Sequence, residues 1–157
     1  MRATDDSLAE AGGDFARACA LRLAAQAQTR ARATDDPAAW RELAGQMDLL
    51  LAHWADDAEH PARLLLAGET AARLGDMETA LARYGAAAAA DSSLAPTARW
   101  QSLALLDAAQ TTADSTAAPA ALARFLAAGE DFLAAHPGTN GRQVCSGVWR
   151  RCAKPTQ

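Results

Sequence analysis

Apolar residues in this chain recur every three or four positions rather than every two, which is the period of helices with one buried face. About six helices are predicted, over residues 6–32, 37–57, 61–74, 76–91, 96–113 and 119–135. In the first, Leu8, Ala11, Phe15, Ala18 and Cys19 share a face, and Asp6 or Ser7 is placed to cap it. Cys19 on that face reads as a small buried hydrophobe. The second opens on Thr34-Asp35-Asp36-Pro37, an acidic cap followed by proline at the first helical position. Its stripe is Trp40, Leu43, Met47, Leu50 and Trp54, continuous enough to read as core rather than as an aromatic binding platform. The fifth carries Trp100, Leu103 and Leu106. The sixth has the cleanest stripe, Leu122, Phe125, Leu126, Gly129, Phe132 and Leu133, with Ala128, Gly129 and Ala135 as close-contact positions, and ends at His136-Pro137-Gly138.

The stretch from Pro61 to Asp91 is the most informative. Leu64, Ala67, Gly68, Ala71 and Leu74 form one face. Gly75 suits the left-handed residue after a helix end, and Asp76 then caps the next helix. Met77, Ala80, Leu81, Tyr84 and Ala87 repeat the face beyond the turn, so small residues stand where two helix axes would approach.

These residues resemble a tetratricopeptide repeat, a helix–turn–helix unit of 34 residues. With Pro61 as its first residue, the family's small residue falls on Gly68, its alanines on Ala80 and Ala87, and its second-helix aromatic on Tyr84. The match departs at Leu64 and Ala71, where the family has aromatics, and at Ser92, where it has proline. The resemblance implies an all-α fold of antiparallel helical hairpins stacked as a short right-handed α-solenoid, a single domain over 1–136. It also implies a groove lined by the first helix of each repeat, here Leu65, Glu69 and Arg73, then Arg99 and Leu103 in the following unit. Arg73 and Arg99 in such a groove would favour an acidic peptide or a C-terminal carboxylate.

Composition reinforces the helical reading: 44 of 157 residues are alanine, the best helix former. The bias toward Ala, Arg and Asp suggests a high-GC bacterial source. The net charge of −4 argues against a nucleic-acid-coating surface. No apolar run is long enough to span a bilayer and no signal peptide is visible, so a cytoplasmic location is expected. Residues 137–157 differ from the rest. Arg142, Arg150, Arg151 and Lys154 stand there without an acid, beside Cys145 and Cys152. This basic tail is either a partly disordered end or a truncated further repeat; residues 143–152 would form a short helix, with Val144, Val148 and Trp149 against the sixth helix.

Candidate chemistry is thin. The three cysteines have neither a disulfide framework nor zinc spacing. His53, Asp56 or Asp57, and His60 would share a face if the second helix ran through them, a weak metal pattern outweighed by helix termination at His60-Pro61. No nucleophile arrangement or phosphate loop is present, and the paired acids sit at helix ends where capping explains them. The expectation is a non-enzymatic protein–protein interaction module or scaffold that binds a peptide or partner domain, with no cofactor and no metal. The alternative is an all-α ligand-binding or regulatory bundle.

Overall fold

The computed structural model describes residues 2–137. It is all-α: α1 (Arg2–Thr34), α2 (Pro37–His53), α3 (His60–Arg73), α4 (Met77–Ala90), α5 (Ala95–Thr112) and α6 (Ala118–Ala135). The helices pack in sequence, α1 on α2, α2 on α3 and α5 on α6, consistent with stacked hairpins. The basic tail, with Cys145 and Cys152, lies outside the described residues. The chain divides between Arg83 and Tyr84, inside α4, into two compact units.

The predicted helix starts rest on aspartates. Asp36 precedes α2, and its carboxylate accepts the Ala38 N–H at 3.0 Å. Asp76 does the same before α4, accepting the Thr79 N–H at 3.1 Å, and Gly75 ahead of it has φ +80. Asp91 and Asp114 accept from Ser93 and Thr116 in the turns before α5 and α6. Asp36 and Asp76 each satisfy a donor that the first helical turn leaves open, whereas Asp91 and Asp114 hold the turns that precede α5 and α6.

Two boundaries differ from expectation. α1 begins at Arg2, so positions 6 and 7 lie within the helix rather than at its start. α2 stops at His53 instead of running to Asp57. Asp57 is the cause on the far side. Its carboxylate accepts the Glu59 N–H and its carbonyl the His60 N–H, which turns the chain into α3. His60 therefore starts α3 rather than ending α2.

The first unit has two layers. Arg32 of α1 donates to Glu69 of α3 at 3.0 Å, and Arg83 of α4 donates to Asp48 of α2 at 3.1 Å. Alternate helices thus lie side by side. Between the layers sit Trp40, Leu43, Met47 and Leu50 of α2, buried as the stripe predicts; Trp54, past the helix end, is half-buried. The α1 face that meets them is not the predicted one. Ala20, Ala24, Ala27 and Ala31 are buried, whereas Phe15, Ala18 and Cys19, on the opposite side of the helix, are exposed. A methyl-sized seam lets α1 approach α2 closely, which a phenylalanine on that side would prevent.

Gly68, Ala80, Tyr84 and Ala87 are all buried. Ala80 has no exposed surface, so Ala80→Phe should overpack its site and cost about 1–3 kcal/mol. Chemical denaturation checks this through a lowered midpoint.

In the second unit Ala95, Ala98, Leu103 and Leu106 are buried, and the Tyr84 hydroxyl donates to Gln101 at 3.2 Å. The α6 stripe is only partly used. Phe132 is buried against Trp100, with ring centroids 6.3 Å apart, while Leu122, Leu126 and Leu133 stay exposed. Nor is Gly129 a forced close approach, because an added Cβ would meet only Leu103 Cδ1, at 3.9 Å. Gly129→Ala should therefore stabilise the protein by about 0.5–1 kcal/mol, the helix-interior cost of glycine, read as a higher denaturation midpoint.

Candidate functional site

Three features of the first unit bear on function. The first is a charge hub at the turn between α2 and α3. Asp57 accepts from Arg17 of α1, whose Nε lies at 2.9 Å, and from Arg63 of α3 at 2.8 Å. Arg63 is buried and Arg17 partly exposed. One carboxylate thus ties two helices and the turn between them. The Arg17 and Arg63 guanidiniums, with the Glu59 N–H, hold the Asp57 carboxyl far below the usual carboxylate range. Beside the hub is an open depression of about 420 Å³ lined by Asp14, Arg17, His53, Trp54, Asp56 and Asp57.

The depressed pKa fixes the sign of a pH effect. A carboxyl that is more acidic when folded stabilises above its unfolded pKa, near 3.8, and that contribution is lost as pH falls toward the folded value. Asp76, Asp91 and Asp114 are lowered too, chiefly by side-chain hydrogen bonds from Thr79, Ser93 and Thr116. The melting temperature should hold from pH 7 to pH 5 and fall steadily below pH 4. Asp57→Asn should flatten that acid slope, as melts across the pH series would show.

The second feature is the outer face of α3, where the expected groove residues sit. Ala62 and Arg73 are exposed, and Leu65, Glu69 and Ala72 are half-buried. Two of them have partners. Glu69 takes the bond from Arg32, and Arg73 lies 3.7 Å from Asp35 with its guanidinium 5.6 Å from the centroid of the Trp40 ring. Asp35 also accepts the Trp40 indole N–H at 2.9 Å, so Arg73 is part of a lid over a buried tryptophan. Arg99 and Leu103 belong to the second unit. Arg99 is exposed on α5, and Leu103 is buried.

The third feature was not predicted as surface. The side of α1 opposite the alanine seam carries Phe15, 72% exposed, with Cys19, Arg22 and Gln26 beyond it and Leu23 at its flank. The sequence pattern grouped Phe15 with Cys19 correctly but assigned that face to the core. The regular spacing of Ala20, Ala24, Ala27 and Ala31 is the signal that marks the packed side.

The histidine–carboxylate grouping dissolves because residues 54–59 are turn, not helix. Among the described residues no group of three or more His, Cys, Asp or Glu could hold a metal ion, and no helix is long and apolar enough to cross a membrane. Comparisons with protein-family models, with curated proteins and with solved structures find no match.

Proposed function

We propose that this chain is a non-enzymatic interaction module and that its partner, a protein or peptide, docks on the layer formed by α1 and α3. The observation that carries this reading is Phe15. A phenylalanine 72% exposed, on a helix that has packed its other side with alanines, is an aromatic anchor without internal use. Such anchors dominate binding energy when a partner buries them, and arginine commonly accompanies them; here it is Arg22. The exposed arc of α3 lies in the same layer, and the tetratricopeptide resemblance places its groove on that helix. Recognition then rests on Phe15 and Leu65 more than on Arg73, whose charge is engaged by Asp35 and Trp40.

The test is affinity capture from source-cell lysate with the full chain, Phe15→Glu, and Leu49→Glu as control. Leu49 is also exposed but lies on α2, in the other layer. Phe15→Glu should lose its partner at least tenfold while Leu49→Glu retains it, with both melting as the parent does, since exposed substitutions change stability little. Retention by a folded Phe15→Glu protein would move the site off this layer.

A further inference from the structure

We infer that the partner seated on Phe15 is a second copy of this chain, with the two α1 helices antiparallel. The inference rests on the docking reading above and names its partner. One face of α1 carries both halves of such a contact. Phe15 is the projection. The recess is a shallow depression of about 490 Å³ lined by Arg22, Ala25, Gln26, Thr29, Arg30 and Ala33. Arg22, Gln26, Thr29 and Ala33 follow Phe15 at helical spacing, so projection and recess look out from the same side. Their centres lie about 19 Å apart along the axis. A two-fold interface needs a surface that complements itself. Turning one helix end for end seats each ring in the other's recess at once.

The register that results brings other matched groups together. Ala18 of one copy faces Ala25 of the other; both are exposed, and short side chains let two helix axes approach. Cys19 faces Leu23, which is 52% exposed and gains an apolar neighbour. Arg30, a wall of the recess, stands beside the inserted ring, where a guanidinium is attracted to the π face. Charge is complementary at the two ends. Asp14, next to Phe15, has no hydrogen bond or ion pair among the described residues. The antiparallel register carries it to the end of the other helix that holds Arg30 and Arg32. Those side chains are bonded to Glu42 and Glu69 but stay more than half exposed, and a guanidinium has donors to spare.

Sedimentation velocity on the full chain tests this. The parent should be a dimer at micromolar concentration and dissociate on dilution. Phe15→Glu should weaken the dimer at least tenfold. Ala25→Trp should do the same by filling the recess while leaving Phe15 in place. Asp14→Arg should weaken it as well, because repulsion replaces attraction, whereas Leu49→Glu should not. All four positions are exposed, and far-UV circular dichroism checks that each variant is folded. A parent that is monomeric throughout would overturn the inference, as would a dimer that survives either Phe15→Glu or Ala25→Trp. The docking reading fails separately, if capture from lysate is unchanged by Phe15→Glu; a monomeric parent whose captured partner is lost with Phe15→Glu leaves that reading standing and removes only the second copy.

Discussion

Asp57→Ala should lower the melting temperature by at least about 8 °C, because it strands the buried Arg63 guanidinium without its counter-charge. Arg63 has little access to water, and its ion pair to Asp57 spans 2.8 Å. Removing one partner of a buried pair is costly because the remaining charge stays desolvated. The substitution also removes the acceptor for the Glu59 N–H, so the start of α3 loses its turn. Arg17→Ala is the informative contrast. Arg17 is partly exposed, and its loss leaves the Asp57–Arg63 pair intact, so a decrease of no more than about 3 °C is expected. Scanning calorimetry of the two variants separates the contributions. Equal small decreases would show that Arg63 finds water and that the hub holds nothing together.

Leu43→Ala should cost about 2–5 kcal/mol, the range for a fully buried leucine whose surroundings relax only in part. Leu43 has no exposed surface and lies in the middle of the α2 stripe. The facing side of α1 is alanine, and short side chains cannot swing into the void. The loss should therefore fall toward the upper part of that range. Urea denaturation would measure it, and a shift under about 1 kcal/mol would mean that α1 closes onto α2 as a rigid body.

The architecture was legible where local chemistry acts alone. Asp36-Pro37 and Gly75-Asp76 cap and turn the chain as their residue types dictate, and the Trp40–Leu50 stripe is buried along its length. Two further helix starts, Asp91-Ser92-Ser93-Leu94-Ala95-Pro96 and Asp114-Ser115-Thr116-Ala117-Ala118-Pro119, share one pattern in the sequence, an aspartate with proline five residues on. The buried side of α1 was misread because both of its sides are apolar. Phenylalanine offers more area, but close helix approach selects alanine, and only the structure decides between them. The hub was illegible for a different reason. Arg17, Asp57 and Arg63 come from three separate segments, and no spacing along the chain brings Arg17 to Asp57. The same holds for Arg73, whose sequence neighbours give no hint of Trp40 and Asp35.

Site-specific photocrosslinking tests the central claim, that the α1–α3 layer docks a partner. A photoreactive amino acid is placed at position 15 of the full chain or, for comparison, at position 49 on α2, and the protein is irradiated in source-cell lysate. The account predicts one dominant adduct of defined mass from position 15, competed away by excess unlabelled parent but not by Phe15→Glu, and no such adduct from position 49. A specific adduct from position 49 alone, or competition by Phe15→Glu as effective as by the parent, would contradict it.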